Sequence, residues 1–357
     1  MITKKLYRLA VDEANGYFLR GWCFNRISRN RQVALDVYGD REKLTTGICN
    51  LYRRDVYRLG VHPTGKCGFS INFPDNFDPQ RYKEIALKIS ATKRTIYTLH
   101  AQDIQKLSPR DHTPVYFMHI PKTAGSSFNA FLRTCYKPSQ YHTHIERLEA
   151  TQQEHLTQRA TGCISGHLTL ERVEQLIDFS GFHLVALLRD PLKHLHSHIN
   201  YVRRVHLDQE LEDQYGFQHN EAIKTLAGKL CEIDFSDPDQ IQGMVSGLSG
   251  FELDFFENIQ TRYFLDYRPE RVSETDFEQA ITNIKKFSLV GITEAYDQFL
   301  DRFCRLVRLP SQQQSIRSNR ADSYRLFDSQ DEQVRSAFTS LIRYDQNLYD
   351  YVRKELW

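Results

Sequence analysis

The chain has 357 residues, 40% of them hydrophobic and 26% charged, with 17 Gly and 11 Pro. That length predicts two domains, and that composition excludes disordered and fibrous proteins. A balance of 47 Lys and Arg against 45 Asp and Glu excludes nucleic-acid binding through overall charge, so any basic site has to be local.

Met1 to Arg8 carry charge but no apolar core of signal-peptide length, and no run of about 18 apolar residues occurs anywhere. No membrane span is expected, and a cytoplasmic location is. The seven cysteines are scattered and form no CxxC pair, which points to reduced thiols rather than a cysteine zinc site.

Residues 1–108 read as β-structure. Tyr17–Phe24 and Val33–Tyr38 are rich in aromatic and branched residues, with turn formers at Asn15-Gly16, Gly39-Asp40 and Asn76. Further strands are expected at 43–49, 67–73, 82–90 and 95–101. About seven short strands at this spacing predict a small antiparallel β-sandwich, an accessory domain without a catalytic constellation.

Ser108-Pro109 and Thr113-Pro114 suit a linker, and the texture changes beyond it. An apolar strand, Val115–Ile120, leads through a small-residue loop into a helical pattern, and a second, His183–Leu188, leads into another helix. Such alternation predicts an α/β domain over 114–357 with a parallel sheet flanked by helices.

The loop is His119-Ile120-Pro121-Lys122-Thr123-Ala124-Gly125-Ser126-Ser127-Phe128. A strand end, a tight turn and a helix start aim several backbone N–H groups at one spot, which favours an anion. Gly125 permits close backbone approach, Ser126 and Ser127 add hydroxyls, and Lys122 adds a positive charge. The nucleotide-triphosphatase loop GxxxxGKS/T is absent, because the lysine here precedes the glycine by three positions. Taken alone, the segment also fits an ordinary serine-rich helix start.

The second element is Leu188-Arg189-Asp190-Pro191-Leu192-Lys193-His194-Leu195-His196-Ser197. Asp190 and Pro191 suit a helix cap and first position, and Leu192, Leu195, Ile199 and Val202 form the buried stripe. Arg189 falls at the carboxyl end of a strand, where α/β sheets bind ligands, and Ser197 can face the same crevice. Guanidinium plus hydroxyl is a phosphate clamp, although a salt bridge at Arg189 would serve structure equally well.

Pro121–Ser127 closely resembles the 5′-phosphosulfate loop of sulfotransferases that use 3′-phosphoadenosine-5′-phosphosulfate (PAPS). Arg189-Asp190-Pro191 with Ser197 resembles their 3′-phosphate element and its RDPxxRxxS spacing, with His194 in place of the second arginine. Glu257–Tyr263, Leu289–Glu294 and Tyr344–Tyr351 resemble further segments of the carbohydrate sulfotransferases. The likeness covers about 114–357 and is nearest to the heparan-sulfate 2-O-sulfotransferase-like and bacterial branch. The resemblance implies a P-loop-like sulfotransferase fold, PAPS as co-substrate, a saccharide or glycoconjugate acceptor and no required metal. It implies donor binding by Lys122, Thr123, Ala124, Gly125, Ser126, Ser127, Arg189 and Ser197, with Lys122 at the leaving oxygen. His167, in Ile164-Ser165-Gly166-His167-Leu168, resembles the catalytic base of that branch, with Ser165 where that branch carries a further histidine.

His142, His144, Glu146 and Glu171 stay open as alternative bases. The His142-Thr143-His144 spacing invites a zinc reading but lacks a third ligand in the sequence. His194 and His198 share a helix face and are expected to be partly solvated. Residues 205–255 are expected to cover the acceptor cleft, Arg203 and Arg204 to meet an anionic sugar or only solvent, and Asn319-Arg320 to close over the nucleotide. Three other readings remain open: a magnesium-dependent phosphotransferase, an inactive sulfotransferase fold that binds glycan or protein, and a chain whose main function lies in the sandwich as an assembly module.

Overall fold

The computed structural model describes residues 6–148, 162–207, 221–309 and 326–357. By its internal contacts the chain divides into Met1–Ser108 with Arg133–Ser139, and Pro109–Leu132 with Gln140–Trp357.

Among the described residues the first unit contains eight strands: β1 Tyr7–Ala14, β2 Phe18–Asn25, β3 Val33–Gly39, β4 Glu42–Cys49, β5 Leu51–Tyr52, β6 Lys66–Asn72, β7 Glu84–Ile89 and β8 Thr95–His100. They form two antiparallel four-stranded sheets in the orders β1-β2-β6-β5 and β4-β3-β7-β8. Leu19, Phe69 and Ile71 from the first sheet and Leu35, Val37 and Leu87 from the second share one buried cluster. The alternation along these strands is what a sheet with one covered face requires. Buried Asp36, in the middle of β3, is satisfied by Lys43, Lys93, Thr46 and Ser90. The sequence reading omitted β1, whose residues are mostly half-buried and mixed in polarity, and the two-residue β5.

The second unit is α/β. Its five strands are β9 Val115–Met118, β10 Tyr141–Thr143, β11 Cys163–Gly166, β12 His183–Leu188 and β13 Leu289–Ile292. All pair in parallel, in the order β10-β11-β9-β12-β13. β9 is fully buried, which explains its unbroken apolar run: both faces are covered by helices. On one face Phe117 packs on Phe128, which also meets Phe299 and Phe303 at centroid distances of 4.8 and 4.9 Å. On the other, Tyr116, Met118, Ile164 and Ala186 join Ile259, Ala280, Ile284 and Leu348.

Because β9 lies between β11 and β12, the chain leaves it toward one side of the sheet and later returns on the other. That is a topological switch point, and the crevice beyond the carboxyl ends of such strands is where α/β sheets place ligands. The loops after β9, β11 and β12 all open there. No helix among the described residues is long and apolar enough to cross a membrane.

Candidate active site

The loop after β9 runs from His119 to Ala124 and enters the helix α2, Gly125–Cys135 (the short Arg54–Arg58 helix of the first unit is α1). Lys122 and Ala124 both adopt left-handed backbone, with φ of 67° and 63°. Such non-glycine conformations cost of order 1–3 kcal/mol each and persist only where the surroundings enforce them. Here Thr123 closes the turn by donating its hydroxyl to the Ile120 carbonyl at 2.9 Å. The backbone N–H groups of Lys122 through Ser126 make no backbone hydrogen bond among the described residues. Five consecutive donors at a helix N-terminus are of the kind that suits an oxyanion. Gly125 is required for a packing reason as well: a Cβ there would fall 1.8 Å from His119 Cδ2.

Arg189 follows β12 and starts the turn into α4, Pro191–Leu207, after the short helix α3, Leu170–Glu174. Asp190 caps α4 by accepting from Lys193 N at 3.0 Å, and Leu192, Leu195, Ile199 and Val202 are buried, as the sequence pattern predicts. The Arg189 guanidinium donates to the Lys122 carbonyl at 3.1 Å, joining the two loops. His194 Nε2 lies 2.8 Å from the Pro121 carbonyl, and Lys122 Nζ sits 5.0 Å from the centre of the Tyr201 ring. Ser197 is three residues beyond His194 and four before Tyr201, so it occupies the helix face that meets the loop.

The electrostatics of this corner are unbalanced. Lys122 has its pKa lowered by burial and then by the like charges of Arg189 and Arg204. Arg189 is lowered by burial, partly offset by Glu294 and Asp190. Glu294, after β13, is already engaged by Asp190 N and the Tyr349 hydroxyl. Two half-buried cations side by side, only one of them near carboxylates, favour a bound anion over bulk water.

His167 directly follows β11. Its Nδ1 lies 2.6 Å from the His119 carbonyl, so Nδ1 carries the proton and Nε2 presents a lone pair. Its backbone N–H donates to Glu146 Oε2 at 3.0 Å, while Glu146 Oε1 takes His144 Nδ1 at 3.0 Å. Burial lowers the His167 pKa, against the opposing pull of Glu146 and the His119 carbonyl. Burial would raise that of Glu146, but its bonds to His144 and His167 N–H bring it down to about 2. His119 is itself neutral, held far below its ordinary value by burial, and its Nδ1 faces the Asn129 amide at 3.2 Å. Asn129 Oδ1 in turn accepts from the Tyr141 hydroxyl at 2.9 Å. The result is an imidazole with a lone pair at Nε2, fixed by the same residue, His119, that Gly125 packs against.

The structure therefore brings Lys122–Ser127, Arg189 and His167 to one edge of one sheet, with Ser197 about two turns into α4. It corrects the reading of α4: His194 and His198 are buried, with 1% and 5% exposure, and are not a solvated face. Burial depresses their pKa to about 4 and about 3, so both stay neutral. His194 thus occupies its position as a hydrogen-bonded packing group and supplies no second positive charge. Arg203 lies near the Phe235 ring, at 5.7 Å, whereas exposed Arg204 reaches the field of Lys122. Glu171 is tied into the backbone, its N–H donating to the Leu265 carbonyl. Within 205–255, α5 Glu221–Cys231, α6 Pro238–Gly247 and α7 Phe251–Phe256 are helical. Asn319 and Arg320 lie outside the described residues.

Sequence reasoning missed Gln260, His119 and Asn129. It named Glu146 only as a base, where the structure gives it the role of holding His167 and His144. No local pattern could have found these pairings, since each joins residues brought together by sheet topology. No protein-family model matches the sequence, and no curated protein matches it.

Proposed function

We propose that the chain is a PAPS-dependent sulfotransferase that moves a sulfuryl group to a hydroxyl of a saccharide or glycoconjugate. The observation that carries this reading is the mutual repulsion of half-buried Lys122 and Arg189 beside five backbone N–H groups that make no backbone hydrogen bond among the described residues. Two anionic ends are to be held: the phosphosulfate by Lys122–Ser127, and the 3′-phosphate by Arg189 and Ser197. In this reading the second unit has the sulfotransferase type of fold, and the first is a β-sandwich accessory domain.

The reaction is an in-line displacement. The acceptor oxygen forms a bond to sulfur, and the bond from sulfur to the 5′-phosphate oxygen breaks. The acceptor proton passes to His167 Nε2, and the charge left on the departing phosphate oxygen is stabilised by Lys122 and the backbone donors. A neutral His167 with its other nitrogen anchored on a carbonyl suits the base role.

Thermal unfolding with adenosine-3′,5′-bisphosphate, ADP, ATP and magnesium–ATP tests the proposal. A ligand at about 100 times its dissociation constant adds about 2.7 kcal/mol to the folded state. A shift with the 3′,5′-bisphosphate alone, lost in Lys122→Ala and Arg189→Ala, followed by transfer from PAPS to a saccharide, supports the reading. A larger shift with magnesium–ATP, or none with the bisphosphate, overturns it.

A further inference from the structure

β10 and β11 are neighbours in parallel register, with Thr143 opposite Ser165, so the residues that follow them emerge side by side. After β10 the chain turns sharply at His144, whose backbone is left-handed with φ of 57°, and makes a single turn through Ile145–Arg147. After β11 comes His167. One ligand atom from each of His144, Glu146 and His167 lies within 4.8 Å of the others, and all three residues are partly exposed. His142, two residues from His144, is outside this cluster. The third ligand missing from the His142-Thr143-His144 spacing is thus supplied across the sheet, to His144 alone.

Two imidazoles and one carboxylate are the donor set of a zinc-type site with an open position. Magnesium and calcium prefer all-oxygen shells and are poorly matched. The hydrogen bond from His167 Nδ1 to the His119 carbonyl supplies what metal-bound histidines usually have: an outer partner that fixes the tautomer and leaves Nε2 for the ion. Tetrahedral ligation at about 2.0–2.1 Å puts ligand atoms roughly 3.3 Å apart, so modest side-chain rotations close the site.

We infer that His144, Glu146 and His167 form a binding site for one divalent transition-metal ion of the zinc type. Its consequence rests on the sulfotransferase reading: an ion on His167 Nε2 takes the lone pair that the acceptor proton needs, so the metal is an inhibitor. Binding and transfer then compete for one nitrogen atom.

The test is titration of the full chain with cobalt(II), followed by visible absorption, with zinc and magnesium as competitors. One equivalent of cobalt with tetrahedral-type bands is expected, displaced by zinc and not by magnesium. Affinity should fall at least tenfold in His144→Asn, which tolerates the left-handed backbone, and in Glu146→Gln, and should be unchanged in His142→Ala. Circular dichroism establishes that the variants are folded. No uptake, or equal uptake by wild type and both ligand variants, overturns the site. Uptake without chelator-reversible inhibition of transfer overturns the link to the base. Metal-free protein that transfers nothing from PAPS counts against the sulfotransferase reading and leaves the metal site to be decided by the spectra.

Discussion

Gln260 holds the main chain of Arg189 with both ends of its amide: Oε1 accepts from the Arg189 N–H at 2.8 Å, and Nε2 donates to the Arg189 carbonyl at 2.9 Å. Gln260 is buried and belongs to α8, Ile259–Tyr263, which lies 71 residues further along the chain. The placement of a cation at the end of β12 is therefore set partly by an uncharged amide from a distant segment.

Gln260→Ala should weaken the 3′,5′-bisphosphate without touching a charged group. Two hydrogen bonds of about 1 kcal/mol each are lost, and two half-buried backbone groups lose their partner. Affinity by calorimetry is expected to fall roughly tenfold, since about 1.4 kcal/mol is a factor of ten. Unchanged affinity would show that Arg189 finds its position without this brace.

Gly125→Ala should damage both halves of the site. The new methyl group would lie 1.8 Å from His119 Cδ2 and 2.1 Å from Nε2. The His119 ring has little room to yield, because Asn129 holds its Nδ1 and His167 uses its carbonyl. Overpacking of this kind costs about 1–3 kcal/mol. A lowered Tm together with weaker bisphosphate binding is expected, and wild-type values for both would contradict the packing described.

The parts legible in the sequence were those encoded by short-range pattern. The apolar runs of β9 and β12 are unbroken because both faces are covered, and the Asp190-Pro191 cap with its stripe at Leu192, Leu195 and Ile199 fixes a helix by spacing alone. What stayed hidden depends on tertiary neighbours. His194 and His198 look polar in a helical pattern, yet the Pro121 carbonyl and the rings of Phe255 and Phe256 make their site an interior one. Glu146 reads as a loop acid until β10 and β11 pair and bring it under His167. β1 escaped notice because pairing with β2, not its own hydrophobicity, makes it a strand.

The pH profile of transfer should have its acidic limb below the ordinary histidine value of about 6.5. In the proposed reaction His167 accepts the proton only when it is itself unprotonated, and burial holds its pKa down, so that form persists as the pH falls toward that value. Glu146 opposes this shift by favouring the protonated form. Glu146→Gln should therefore move the limb further to the acid side, while kcat falls because one amide oxygen cannot serve both the His167 N–H and His144 Nδ1. His167→Ala should reduce kcat by about 10²–10⁴-fold, the usual range for a general base, with bisphosphate binding retained. A limb that moves to higher pH in Glu146→Gln would refute the assignment of His167 as base.

Asp345, in α11, Glu332–Tyr351, which follows α9 Glu274–Ile284 and α10 Tyr296–Leu306, anchors the segment that carries Gln260. Its Oδ2 accepts from Gln260 N at 3.1 Å, and its Oδ1 accepts from Thr261 N at 2.7 Å and the Thr261 hydroxyl at 2.8 Å. The opposing strand of the lock is Asn258 Oδ1, which accepts from Tyr344 N and Asp345 N and holds left-handed backbone at φ 46°. All the donors facing the Asp345 carboxylate point inward, so an amide cannot replace it in either orientation without setting an N–H against another donor. Asp345→Asn should destabilise by about 1–3 kcal/mol, and Asp345→Ala by more, because it leaves three buried donors without an acceptor. Urea unfolding should show a lowered midpoint at constant slope if the loss is one of native stability. Because Gln260 rests on this carboxylate, bisphosphate affinity should fall in the same variants although Asp345 does not reach the ligand site. Loss of stability with full affinity would mean that Arg189 is held by its own turn, and would separate the α11 anchor from function.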